Sequence, residues 1–198
     1  FMEHLASWGY VVVIVDETSA GLPNGNGFTT VYDWFIAGHA AGDWQADYAD
    51  LSKIAIGGHS NGGVNATNVL INHPNDIDAI VYSAAYPSDN FLLPHDVSGY
   101  SGHVLSMSGS EDSDSQPADV KNGYDAFTAA NCGVYVDFDG MGHGAFGDYD
   151  NTAQPVGTIG RADATSSIKH YVVSFLEYAL RGSSIAVANL LLPSNRLT

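Results

Sequence analysis

Two rhythms of apolar and polar positions alternate along the chain. Short runs rich in β-branched and aromatic residues at 10–15, 51–57, 79–85, 103–108 and 133–138 read as strands. The run at 10–15 is apolar throughout and predicts a strand buried on both faces. Between the runs the period lengthens to that of a helix. Residues 1–8 read as the back half of an amphipathic helix closed by Gly9, and helices are predicted over 29–41, 61–72, 120–130 and 164–181. In the last of these, Ile168, Tyr171, Val172, Phe175, Leu176, Ala179 and Leu180 follow the i, i+3, i+4, i+7 stripe, and Gly182 stops it. The segments 19–27, 87–102 and 139–161 are polar or broken by proline and glycine and read as loops, while 185–192 is apolar without a period and is expected to pack on the sheet edge. Strand and helix in alternation predict an α/β fold: a mostly parallel sheet covered by helices on both faces, in a single domain over 1–198.

Composition narrows the partners. The 198 residues carry six Lys and Arg against 22 Asp and Glu, a net charge of −16, with too few cations to neutralise a phosphate backbone. Nucleic acid is therefore excluded as the expected partner, as is an anionic membrane surface. No apolar run approaches the roughly 18 residues of a membrane span. Eighteen of the acids are aspartates spread through loops, the pattern of a solvated acidic surface. The lone cysteine, Cys132, is expected as a small buried hydrophobe.

The chemistry gathers at one junction. Gly58-His59-Ser60-Asn61-Gly62 follows a strand pattern and opens a helical one, the context that the G-x-S-x-G motif requires to lift a serine hydroxyl above the sheet. Side chains at 58 or 62 are expected to collide within so tight a turn. A serine hydroxyl is a poor nucleophile near neutral pH, so Ser60 needs a base in hydrogen-bond reach and an acid to orient that base. In a parallel sheet both should come from loops at the carboxyl ends of later strands. His143 sits between Gly142 and Gly144 just past the strand at 133–138 and is the candidate base, with His95 in the 87–102 loop its rival. His59 is set aside as too close in sequence to turn its ring onto the neighbouring hydroxyl. The acid is sought after the strand at 103–108, where Glu111, Asp112 and Asp114 crowd one loop. Asp112 is the choice, and a calcium site using Asp112 and Asp114 is the alternative use of these carboxylates.

The run Leu5-Ala6-Ser7-Trp8-Gly9-Tyr10-Val11-Val12-Val13, the elbow Gly58 to Gly63, Gly109 with Asp112, Gly142-His143-Gly144 and the closing Phe175-Leu176-Glu177-Tyr178 together resemble an α/β-hydrolase. The likeness points to serine esterases of the polyester hydrolase, cutinase-like, chlorophyllase and dienelactone-hydrolase-like branches. It implies Ser60 as nucleophile, His143 as base, Asp112 as acid and the Asn61 backbone N–H as half of an oxyanion hole. It implies no cofactor. The family's second oxyanion donor and its first strands, one of them lying between 10–15 and 53–57, have no counterpart here, so the chain is expected to be N-terminally incomplete. Only residues 87–102 stand where many lipases insert a lid, which implies an open cleft that Trp44, Tyr86 and Phe91 could line. The expected activity is hydrolysis of a small-molecule or polymeric carboxylic ester by an extracellular or periplasmic monomer, falling in acid as His143 protonates. A serine peptidase of the same fold and an inactive α/β-hydrolase serving as a binding module are the competing readings.

Overall fold

The computed structural model describes residues 1–15, 26–42, 48–89, 93–147 and 153–191. Four parallel strands form the sheet: β1 (Ala55–His59), β2 (Ala79–Ser83), β5 (His103–Gly109) and β6 (Cys132–Phe138), in the spatial order β1-β2-β5-β6. A two-residue antiparallel pair, β3 (Ser88–Asp89) with β4 (Leu93–Pro94), is the regular structure within the 87–102 loop. The helices are α1 (Met2–Ser7), α2 (Asn26–Ala41), α3 (Asn61–Asn72), α4 (Pro117–Asp125), α5 (Arg161–Arg181) and α6 (Ser184–Leu190), with a 3-10 turn at His143–Phe146.

The two-residue period of the strands sorts the core into two layers. On β2, Ala79 and Val81 face a cluster built with Leu5 of α1 and with Ile168, Val172, Phe175 and Leu176 of α5. Their neighbours Ile80 and Tyr82 face the other way, onto Val69 and Leu70 of α3 and onto Phe127. Tyr82 is fully buried, and its hydroxyl is paired at 2.8 Å with Thr67 of α3, so the polar atom is satisfied inside the layer. Helices thus cover both faces, as the alternation in the sequence requires.

The expected strand at 10–15 does not form. Among the described residues, the backbone of Val11 to Val15 makes no hydrogen bond, and Val11, Val13 and Ile14 are exposed where burial on both faces was expected. A strand exists only by pairing, and the free edge of β1 does not reach this segment. Between the two lies a cavity of about 540 Å³, lined among others by Leu5, Phe28, Phe35 and Leu176. Tyr10 is instead tied outward to α5. Its hydroxyl donates to Glu177 at 2.7 Å, and the Arg181 guanidinium lies 4.2 Å from its ring centre.

Three smaller corrections have local causes. The helix expected at 120–130 begins at Pro117, whose missing N–H costs nothing in a first turn, and it ends at Asp125. The aperiodic tail forms α6, capped by Ser183 and packed on α5 rather than on the sheet edge, with the Asn189 carbonyl 2.9 Å from a His170 ring nitrogen. Cys132 is half-buried at the start of β6. No described helix is long and apolar enough to cross a membrane.

Candidate active site

Ser60 stands between β1 and α3 with φ 55° and ψ −125°, one of two non-glycine residues at positive φ among those described. An L-residue holds such a backbone only where its surroundings impose it. Two contacts do so. The Ser60 N–H donates to the Ser83 carbonyl at 3.1 Å, extending the β1–β2 ladder by one bond, and the Ser60 carbonyl accepts from Gly63 at 2.9 Å as the first bond of α3. The close approach of strand and helix then selects glycine at two positions. A Cβ on Gly58 would lie 2.2 Å from the Gly62 carbonyl carbon, and one on Gly63 would lie 2.4 Å from the Ala85 Cβ. At Gly62, where a collision was also expected, the nearest atom would be Phe28 Cζ at 4.0 Å. The turn is tight at 58 and 63 and open at 62.

Asp112 and His143 meet in the loops after β5 and β6. His143 Nδ1 and Asp112 Oδ2 are 2.8 Å apart, and both side chains are buried. The other carboxylate oxygen, Oδ1, accepts the backbone N–H groups of Asp114 at 2.9 Å and Ser115 at 2.8 Å. A carboxylate that takes two backbone donors on one oxygen acts as an acceptor on the other, so the hydrogen-bond network assigns the imidazole proton to Nδ1. The lone pair then lies on Nε2, which is buried without a hydrogen-bond partner. The Ser60 hydroxyl makes no hydrogen bond among the described residues, so the structure joins acid to base and leaves the Ser60–His143 bond unmade.

The two loops are stitched together beyond their strands. Ser110 N–H donates to the Phe138 carbonyl at 2.9 Å, Glu111 N–H to the Met141 carbonyl at 3.0 Å, and Gly140 N–H to the Ser110 hydroxyl at 2.9 Å. On the far side, Gly142 and Gly144 donate to the carbonyls of Val156 and Pro155. A Cβ on Gly144 would lie 2.0 Å from the Gln154 carbonyl oxygen, so this glycine serves a close approach of two chains. Arg161 opens α5 by donating to the carbonyls of Gly144 and Gly147, which braces the turn that carries His143.

The same network separates the three acids that crowd one stretch of sequence. Glu111 holds Thr158 through its backbone N–H at 2.9 Å and its hydroxyl at 2.5 Å, bonds that lower the Glu111 pKa. Asp114 accepts from the Gln154 amide at 2.8 Å, and Asp112 alone reaches the imidazole. Among the described residues no group of three or more potential metal-ligating side chains occurs, and both Asp112 oxygens are engaged. His95 donates its backbone N–H to the Pro87 carbonyl in the 87–102 loop, and no contact joins its ring to Asp112.

The Asn61 N–H, at the first position of α3, has no acceptor among the described residues and keeps the partial positive charge of a helix N-terminus. Tyr86 is half-buried against α4, where a Cβ on Gly123 would lie 2.5 Å from the Tyr86 Cβ. Trp44 and Phe91 lie outside the described residues. The cavity beside β1 reaches Gly58 and His59 but is not lined by Ser60, Asp112 or His143, so it is a separate space behind the elbow. His59, set aside on sequence grounds, turns its ring to within 4.6 Å of the His143 ring centre. The only signal in the sequence for that placement is adjacency to Ser60.

A model of the alpha/beta hydrolase family matches residues 1–154. No curated protein matches the chain. Among solved structures, a puromycin hydrolase S511A mutant complexed with PGG is 15% identical, over 74% of this chain and 24% of its own, with a TM-score of 0.52. An S-formylglutathione hydrolase from Agrobacterium tumefaciens is 16% identical, over 75% of this chain and 57% of its own, with a TM-score of 0.46. The chain spans less than two thirds of either protein.

Proposed function

The chain belongs to the alpha/beta hydrolase family, and from that premise we propose that it is a serine hydrolase of carboxylic esters working through an acyl-enzyme. One observation carries the reading. A buried Asp112–His143 pair, with its imidazole acceptor Nε2 left unpartnered, stands past the carboxyl ends of β5 and β6, and a serine held at φ 55° stands past the carboxyl end of the parallel β1.

In the proposed reaction the Ser60 Oγ bonds to the acyl carbon as its proton passes to His143 Nε2. Asp112 holds the Nδ1 proton and stabilises the resulting imidazolium. The carbonyl oxygen becomes an oxyanion against the Asn61 N–H, a donor already oriented and free, and loss of one such donor typically costs about 10² to 10³ in rate. The alcohol leaves with the proton from Nε2. Water then adds to the acyl carbon, passes a proton to His143, and the acid departs as Ser60 is reprotonated. Each step draws on side chains, a backbone N–H and water.

An ester is the favoured substrate class because the elbow, acid and base account for acyl transfer. Among the described residues between β2 and β5 stand the β3–β4 pair and its flanking loop, which suits an open cleft and a substrate that is either small or the end of a polymer.

The test is hydrolysis of p-nitrophenyl acetate and butyrate beside the corresponding anilides, with fluorophosphonate labelling read by peptide mass. Ser60→Ala is expected to remove ester turnover, and the label is expected on Ser60 alone. Anilide turnover matching that of the esters would establish the peptidase reading, and a folded chain neither labelled nor active would establish a binding module.

A further inference from the structure

Arg161 stands where a cation is out of place. It is the first residue of α5, after Gly160 at φ 79°, and the first turn of a helix carries free N–H groups and a partial positive charge that disfavour a basic side chain. The chain has only six Lys and Arg, so one of them set against a helix dipole calls for a compensating contact. That contact lies across the loop. Arg161 Nη1 donates to the carbonyls of Gly144 at 2.9 Å, Ala145 at 3.4 Å and Gly147. These residues belong to the 3-10 turn His143–Phe146 and its cap, where a helical turn leaves its last carbonyls orphaned and partly negative.

We propose that Arg161 is a positioning residue for the base: by gathering three carbonyls of one turn on one nitrogen, it fixes the direction in which His143 presents Nε2 to Ser60. The proposal rests on Ser60 and His143 being nucleophile and base. His143 has two other fastenings, and neither sets that direction alone. Asp112 holds Nδ1, but a ring held at one atom still swings with its backbone. The N–H groups of Gly142 and Gly144 hold the entry to the turn against the carbonyls of Val156 and Pro155, and Arg161 holds the exit.

Gly144 and Ala145 are buried, so a carbonyl that loses its charged donor there is poorly placed to reach water, and the turn must shift to find another partner. His143 opens the same turn and moves with it. A misplacement of about 1 Å between reacting groups can cost about 10²-fold in rate.

The three acceptors share Nη1, and this shapes the test. An ammonium also carries three donors on one nitrogen, so Arg161→Lys can remake the contact, whereas Arg161→Met keeps an unbranched stem and removes every donor. In ester kinetics on folded samples, Arg161→Met is expected to lower kcat by about 10- to 100-fold with KM little changed. Most of that loss should be recovered by Arg161→Lys, or by methylguanidinium added to Arg161→Ala well below denaturing concentrations. The downfield proton resonance of the His143–Asp112 bond should broaden or shift in Arg161→Met and return in the rescued sample. Full activity in Arg161→Met, or recovery by neither route, would overturn the proposal. Should the methionine and alanine variants not fold, NMR of the wild type decides. Separate, slowly exchanging Arg161 Nη protons close to the backbone of 144–147 support the role, and a freely rotating guanidinium overturns it. Fluorophosphonate labelling of the wild type separates the two readings. An unlabelled Ser60 sinks the mechanism itself, whereas a labelled, active wild type matched by Arg161→Met sinks only the role of Arg161.

Discussion

Glu111, Asp112 and Asp114 are chemically alike and lie within four positions, yet burial and bonding give them different work. Asp112 is closed off from water with both oxygens engaged, whereas the other two are exposed and hold Thr158 and Gln154. If Asp112 orients the base, Asp112→Asn keeps the volume but can present an N–H where an acceptor is needed, which favours the wrong imidazole tautomer. The expected result is a fall in kcat of up to about 10⁴-fold with the fold retained, read by ester kinetics beside circular dichroism. Glu111→Gln should leave kcat within about threefold, as a surface brace outside the site; an equal loss in both variants would remove the distinction. At this scale the sequence singles out Ser60 and His143 as candidates, because each has a glycine within two positions on either side, just past a strand pattern. It cannot show which acid is buried. Burial is decided by how the loops after β5 and β6 fold over one another, and the stitching bonds from Ser110 and Glu111 are contacts between distant positions. The placement of His59 against His143 is hidden for the same reason.

Elements were legible where local pattern and tertiary need agree. α3 runs from Asn61 to Asn72 as the periodicity predicts, and α5 is bounded at its end by Gly182 in the left-handed conformation. The segment at 10–15 shows the limit. Its residues have the propensity of a strand, but a strand is a relation between two chains, and the cavity beside β1 separates the would-be partners. The elbow is where sequence and geometry differ most usefully, since three glycines that look alike do unlike work. Gly58→Ala and Gly63→Ala would each drive a Cβ into backbone or into Ala85, so each is expected to lower Tm by several degrees or prevent folding. Gly62→Ala meets nothing closer than 4.0 Å and sits in the first turn of α3, where alanine is the better helix former by up to about 1 kcal/mol. It should fold with an unchanged or higher Tm. Thermal melts of the three variants check the order, and a Gly62→Ala as unstable as Gly63→Ala would contradict the geometry.

Across the whole molecule, the sheet and its two covering layers follow from alternation in the sequence, because β2 and β5 must bury both faces and do. Composition acts at this scale as well. With 22 acids against six Lys and Arg, the surface repels itself, and the described ion pairs such as Lys121–Asp125 and Arg181–Glu177 offset only a small part of it. Such pairs are exposed and are worth little each, about 0 to 1 kcal/mol. The excess negative charge is spread along the whole sequence, and compaction brings the charges closer than they are in the unfolded chain. Added salt shortens the screening length from about 30 Å at 0.01 M to about 10 Å at 0.1 M. Screening therefore relieves the folded state more than the unfolded one. Tm is expected to climb between about 0.01 and 0.5 M sodium chloride, most steeply in the first 0.1 M. A melting temperature that fell over this range would mean that the ion pairs outweigh the repulsion. Reversing a few exposed aspartates to lysine, away from Asp112 and its loop, should flatten the rise.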